Sequence, residues 1–380
     1  MILSPLFWLA LLLGVPAYWA APARLRPGLL AGLSVAVVAH LAPWVALSLL
    51  VWTVSFYYLL RRESTQRVAA WAFGLGILGA LFAFKYAAPL GLVSGVMVPI
   101  GLSFFTFKLL HYGIDVRRGK MREHTLFELL SWVFLFPAFT AGPIERLDHF
   151  LENREERLSR QALAEGLTRV AHGLIKKLLI AEMGLRYLLK SNTAERLILR
   201  LDALTPLEAW TFAVLSFLWL YMDFSGYSDL AIGASRLFGV RLAENFDWPI
   251  VARTPAEFWR RWHISLSAWC QNYVYLPVLL RSRSPYVAAT LTFTVMGLWH
   301  AGSLPWLAWG LWHALGVILT TLWQRIARQR GWLWALYGTW SYLTVPLTFA
   351  WVCIGHLVTT VHGVGTLTDA LHLVGRLFGV

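Results

Sequence analysis

Long apolar runs, separated by short clusters of arginine and lysine, make up most of the 380-residue chain. Runs able to cross or enter a bilayer occupy residues 2–20, 28–60, 68–88, 92–113, 125–143, 207–222, 226–240, 286–299, 304–324 and 334–357. The run 28–60 would reach about 50 Å as a helix rising about 1.5 Å per residue, against a hydrocarbon core about 30 Å thick. Pro43, near its middle, predicts two short crossings instead of one. The flanking clusters (Arg24 and Arg26; Arg61, Arg62 and Arg67) then share one side, the cytosolic one. Residues 2–20 lack a charged leading segment and run directly into Arg24, so they read as a first span and not as a cleaved signal peptide.

Two polar regions interrupt this pattern. The stretch "LENREERLSRQALAEGLTRVAHGLIKKLL" (151–179) has helical periodicity with both signs of charge, which predicts amphipathic helices at the cytosolic interface. The second, "EFWRRWHISLSAWCQNYVYLPV" (257–278), sets two arginines, a histidine and two serines among three tryptophans. Trp259, Trp262, Leu266, Trp269 and Tyr273 recur at alternating spacings of three and four, the signature of one helix face. An aromatic helix of this kind lies in the interface or lines a cavity, and it carries His263 with it. Further on, His300 closes an apolar run in "MGLWHAG" (296–302). An ionisable side chain at membrane depth marks a functional site by default, and imidazole is suited to proton transfer near neutral pH. His313 follows His300 with Pro305 between them. At about 100° per residue the two do not share a helix face, so they do not predict a paired metal site.

Composition agrees with an all-α, polytopic integral membrane protein. The chain is 58% hydrophobic and only 14% charged, where soluble domains carry roughly 25%. Its net charge of +13 falls in clusters between apolar runs, which is the pattern of positive-inside loops and lipid headgroup contact, not of nucleic-acid binding. The two cysteines, Cys270 and Cys353, define no disulfide framework. No metal-ligand spacing and no phosphate-cradling glycine loop is present.

The ordered motifs carry a specific resemblance. "FKYAAPL" (84–90), "PIGLSFFTFKLLHYGIDVRRG" (99–119), "FPAFTAGPIERLDHF" (136–150), "GLIKKLLIAE" (173–182), "YMDFSGYSDLAIGASRLFG" (221–239) and "ENFDWPIVARTPAEFWRRWHISLS" (244–267) precede "GLWHAG". Together, over about residues 80–320, they resemble the membrane-bound O-acyltransferase (MBOAT) family. The likeness is to its bacterial branch, which includes the alginate O-acetylation and teichoic-acid D-alanylation membrane proteins. Two departures stand out: Ala301 occupies a position where the family usually has glycine, and the C-terminal stretch lacks the phenylalanine-arginine pattern common in alginate-type members.

The resemblance implies a single transmembrane domain, residues 1–380, of about ten membrane-crossing or re-entrant helices around a central cavity. It implies an enzyme that moves an acyl group, acetyl or D-alanyl, from an activated thioester to a hydroxyl. His300 corresponds to the family's nearly invariant histidine and would be the general base, with His263 the second catalytic histidine. Asn245, Trp262, Ser265 and Trp299 are expected to bind or orient substrate; Asn245 has the alternative role of a helix cap before "FDWP". The expected donor is acetyl-coenzyme A or an acyl carrier protein on the cytosolic side. The expected acceptor is a glycan or a periplasmic or extracellular relay protein on the other, with no bound cofactor, metal or nucleic acid. The expected location is the bacterial cytoplasmic membrane. A transporter or flippase, or a non-catalytic membrane subunit, is the alternative reading; a transporter predicts inverted repeats, and none is visible in the sequence.

Overall fold

The computed structural model describes residues 4–86, 101–155, 157–190, 193–332 and 339–380. Helices dominate, and the described residues form no strand, only isolated bridges between Arg154 and Val240 and between Phe246 and Trp262. Among them are six helices long and apolar enough to cross a membrane. The protein is an all-α polytopic membrane protein. Its contacts group the chain into two units, each built from two segments: Met1–Ile175 with Gly226–Glu244, and Lys176–Ser225 with Asn245–Val380.

In the first unit, α1 (Pro5–Ala20) begins where the Ser4 hydroxyl accepts from the Leu6 amide and Pro5 takes the first turn. The long run splits as expected into α2 (Arg26–Leu41) and α3 (Pro43–Leu60). Ala42 leaves helical geometry because the residue before a proline is driven from it. Next come α4 (Glu63–Lys85) and α5 (Leu102–Arg117); part of the expected run 92–113 lies outside the described residues. A reciprocal cap between Thr125 and Glu128 starts α6 (Leu126–Phe134). Short α7 (Leu147–Glu152) and the longer α8 (Arg160–Leu174) follow. Phe7, Trp132, Phe136 and Phe238 are almost wholly buried in the core.

The second unit opens with a π-helical segment, Ile175–Leu185, continued by α9 (Arg186–Leu189) and α10 (Ala194–Ile198). Lys177 is not a loop charge here: it is largely buried in this segment and pairs with Asp223. The runs 207–222 and 226–240, read as separate spans, form one 32-residue helix, α11 (Pro206–Leu237). Gly226 and Gly233 do not break it. From Gly226 onward the helix belongs to the first unit, and there the two glycines serve close packing on α8 of the same unit: a Cβ on Gly173 would stand 2.7 Å from the Gly226 carbonyl oxygen, and one on Gly233 2.7 Å from that of Gly166. Small residues let membrane helices approach in this way.

Among the described residues the second unit continues with α12 (Pro255–Arg261), α13 (Ile264–Cys270), α14 (Leu276–Ser282), α15 (Pro285–His300), α16 (Leu304–Gln329) and α17 (Val345–Thr360). An amphipathic α18 (Leu367–Arg376) closes the described chain. The expected run 334–357 begins outside the described residues. Helices α15 and α16 cross with almost no space between them. A Cβ on Gly297 would lie 2.3 Å from the Trp306 carbonyl oxygen, and one on Gly310 2.4 Å from that of Phe293. Helix α15 has 16 residues, about 24 Å at about 1.5 Å per residue, short of a core about 30 Å thick. A helix of that length does not cross such a core by itself, and it carries His300 as its last residue.

Candidate functional site

The single helix face expected through Trp259, Trp262, Leu266, Trp269 and Tyr273 does not exist. The helix stops at Trp262, and His263 adopts left-handed geometry (φ 42°, ψ 54°) before α13 begins. For a non-glycine residue that conformation costs on the order of 1–3 kcal/mol and persists only where its surroundings impose it. They do so here. Trp262 bridges to Phe246 in extended fashion, and the Ile264 amide donates to the Asn245 carbonyl (2.9 Å). The charges flanking this break are structural. Glu257, capped through Thr254, receives Arg253 (3.2 Å) and Arg261 (3.0 Å), and Arg261 also reaches Asp247 (3.1 Å).

Asn245, fully buried, serves the break, while the turn at Pro249 has no side-chain cap. Its side-chain oxygen accepts from the Ser265 hydroxyl (2.8 Å) and from the Ser265 amide (3.4 Å). The same oxygen lies 3.0 Å from His263 Nδ1. With donors converging on it, that oxygen takes the hydrogen of Nδ1, which leaves Nε2 of a neutral His263 as a bare lone pair. Ser265 thus stands behind His263, holding the asparagine that holds the ring.

His263 faces a cavity of about 230 Å³ within the second unit, which His300, His313 and His356 also line. Its walls are aromatic. Trp306 stacks on the His300 ring at 4.5 Å and 18°, and Trp309 meets that ring edge-on at 5.3 Å. Trp262 lines the cavity too, stacked on Phe258 and edge-on to Phe246. Trp299 does not line it but flanks His300, with ring centroids 4.5 Å apart. No acidic side chain is among the described lining residues. Among the described residues no three histidine, cysteine or acidic side chains gather where they could hold a metal ion. Ala301 is extended (φ −161°, ψ 148°), a conformation any residue adopts, so the alanine imposes no strain after His300.

The structure therefore brings His263, His300 and Trp262 to one cavity, with Asn245 and Ser265 supporting it and Trp299 beside it. Sequence reasoning weighed His313 only as a metal partner of His300, and it missed His356. His313 lies one helical turn from Trp309 on the face that α16 presents to the cavity, a signal readable in the sequence. His356 sits on α17, and nothing in the sequence links it to the other three.

A multi-helix membrane protein with two motif-borne histidines on one buried cavity is the class that fold and site define. The family model described as "MBOAT, membrane-bound O-acyltransferase family" matches residues 39–357, and the chain belongs to that family. A protein named probable alginate O-acetylase AlgI, from Pseudomonas aeruginosa, is 38% identical over 55% of this chain and 40% of its own length. A teichoic acid D-alanyltransferase from Streptococcus thermophilus is 30% identical over 73% of this chain and 70% of its own. A peptidoglycan O-acetyltransferase from Helicobacter pylori is 32% identical over 54% of this chain and 44% of its own. The chain thus spans about half the length of the alginate relatives it matches.

Proposed function

We propose that this protein is an O-acyltransferase of the bacterial cytoplasmic membrane that moves an acetyl group from a cytosolic thioester to a hydroxyl on the far side. The donor is acetyl-coenzyme A or an acyl carrier protein, and the acceptor is a glycan or a relay protein that passes the group on. The observation carrying this reading is the convergence of His263 and His300 on one buried cavity, which suits an enzyme that must keep water from a thioester. The relatives named above act on both acetyl and D-alanyl groups by their names. Acetyl is favoured because a D-alanyl ammonium would meet no carboxylate among the described lining residues, and a charge left unpaired in so apolar a site is costly.

In this mechanism His300 takes the proton of the acceptor hydroxyl as its oxygen attacks the thioester carbon. A carbon–oxygen bond forms and the carbonyl π electrons move to oxygen. Collapse of that oxyanion breaks the carbon–sulfur bond, and the proton held by His300 passes to the leaving thiolate. His263, turned by Asn245 so that its Nε2 is a bare lone pair, accepts from a second hydroxyl or N–H of the acceptor and so orients it, leaving the proton of the attacking hydroxyl to His300. The test is transfer of labelled acetyl from its coenzyme A thioester to glycan or polyol acceptors by the purified protein. His300→Ala is expected to keep the fold and lose about 10²–10⁴-fold in rate. A variant retaining more than about half the wild-type rate removes His300 as the base. Absence of transfer by the wild type, with glycan translocation in its place, would favour a flippase.

A further inference from the structure

His313 has no role in the mechanism just given, yet it is among the most constrained side chains in the second unit. It is 2% exposed. Trp309 meets its ring at 4.9 Å and Trp259 at 5.1 Å, while Phe293 and Phe258 cover its faces at 6.3 and 6.4 Å. Trp259 Nε1 donates to His313 Nδ1 at 3.2 Å. An indole nitrogen can only donate, so Nδ1 must be the bare nitrogen and a neutral His313 carries its hydrogen on Nε2. This is the opposite tautomer to that of His263. One cavity therefore presents a fixed lone pair and a fixed N–H.

The Nε2–H of His313 has no hydrogen-bond partner among the described residues. It looks onto Gly355, where a Cβ would stand 2.8 Å from Nε2. A side chain there would press on His313 and, at the same 2.8 Å, on Trp312, so the glycine is what lets α17 pack beside the ring without displacing it. A donor without an acceptor, in a largely apolar cavity, is a group kept for a ligand's oxygen. Acyl transfer creates one oxygen that needs it, the carbonyl oxygen as it becomes an oxyanion.

The geometry points to His313 as a catalytic residue, its Nε2–H donating to the thioester carbonyl oxygen, with Trp259 the positioning residue that fixes the tautomer. This rests on the acyl-transfer reading above. It adds no atom to the reaction: the electron pair displaced onto oxygen during attack is held by this N–H and returns to carbon as the thiolate leaves.

His313→Leu is expected to lower kcat by about 10²–10³-fold, the effect of removing one oxyanion donor, with KM for donor and acceptor within about twofold, since the contact strengthens only in the transition state. His313→Gln, which can still present an N–H, should recover at least about tenfold of that loss. Trp259→Phe keeps an aromatic ring but frees Nδ1, and should lower kcat by several-fold. A kcat for His313→Leu within about threefold of wild type, or a loss that Gln does not relieve, overturns the proposal.

Nitrogen-15 NMR of histidine-labelled protein reads the tautomer without turnover. His313 should show a protonated Nε2 and bare Nδ1 in wild type and lose that preference in Trp259→Phe. The ketone analogue of acetyl-coenzyme A, with methylene in place of sulfur, should shift the His313 Nε2 resonance. A bare Nε2, or no shift at saturating analogue, also overturns the proposal. If the wild-type protein transfers no acyl group while the analogue shifts Nε2, the acyl-transfer reading fails and the carbonyl-binding role of His313 stands.

Discussion

At the level of single residues, the site depends on hydrogen bonds that choose which nitrogen of each ring is bare. Asn245 is the clearest case, because one amide oxygen serves His263 and both donors of Ser265. Asn245→Leu is expected to lower stability by about 1–3 kcal/mol, the cost of leaving buried donors unsatisfied, and to lower the transfer rate as His263 loses its tautomer. Thermal unfolding beside the initial rate checks this, and a variant as stable and active as wild type would refute the role. In the first unit, His149 Nδ1 lies 2.7 Å from the buried Glu145 carboxylate, whose contact raises the His149 pKa above 6.5. A raised histidine stabilises the fold below its unfolded pKa, and that contribution disappears as pH climbs through the folded value. As pH rises above about 6.5, the ordinary histidine value, wild-type protein should therefore lose more unfolding temperature than His149→Gln does, by a modest amount because the histidine is half-exposed. His263 and His300 were legible in the sequence because short motifs carry them. His313 was readable only as a neighbour of Trp309 on one helix face, and His356 was not legible at all, because helical-wheel reasoning compares positions on one helix and their meeting depends on how α16 packs with α17.

At the scale of the elements, hydrophobic runs and prolines placed most helices, and Pro43 divided α2 from α3 where the run was too long for one span. Two readings failed for the same physical reason: periodicity describes a regular helix and says nothing of what packing can sustain or interrupt. The runs 207–222 and 226–240 were read as two spans, yet they form one helix, α11, in which Gly226 and Gly233 are the contact surface for α8. The aromatic spacing of 259–273 looked continuous, yet Asn245 and Phe246 pull the backbone out of helix at Trp262 and His263. The crossing of α15 and α16 is the element-level feature that seats His300 against Trp306 and Trp309. A side chain at Gly297 would meet the Trp306 backbone, which cannot rotate away as a side chain could. Gly297→Val is therefore expected to part the two helices, to cost about 1–3 kcal/mol or more, and to reduce transfer strongly. Gly32→Ala should be near neutral, since a Cβ there meets nothing within 4 Å. Comparing the unfolding temperatures of the two variants tests the argument, and equal losses would contradict it.

For the molecule as a whole, the proposed function has donor and acceptor approach His300 from opposite faces, so sidedness is the property that tests it. Arginine and lysine clusters on short loops are held on the cytosolic side. In the first unit the exposed Arg117, Arg118 and Lys120 follow α5, and in the second the exposed Arg281 and Arg283 precede α15. Helix α15 then leads from its basic end toward His300, and α16 ends at Arg325, Arg328 and Arg330. An entry by α15 that stops short of the other side and a return by α16 would put both basic ends on one face and the histidine between the faces. Lys177 cannot report on this, because its ion pair with Asp223 largely buries it. Cysteines at Arg118 and Arg283 are therefore expected to resist an impermeant thiol reagent in intact cells and to react after lysis. An anionic thioester made in the cytosol would meet those loops first, and their field would raise its capture rate. Replacing Arg281 and Arg283 with glutamine should then weaken donor capture more at low salt than at physiological salt, where the screening length is only about 8 Å. Both results are needed together. Labelling of either cysteine from outside intact cells would place that loop on the far face, and transfer across the membrane from a cytosolic donor would fall with it.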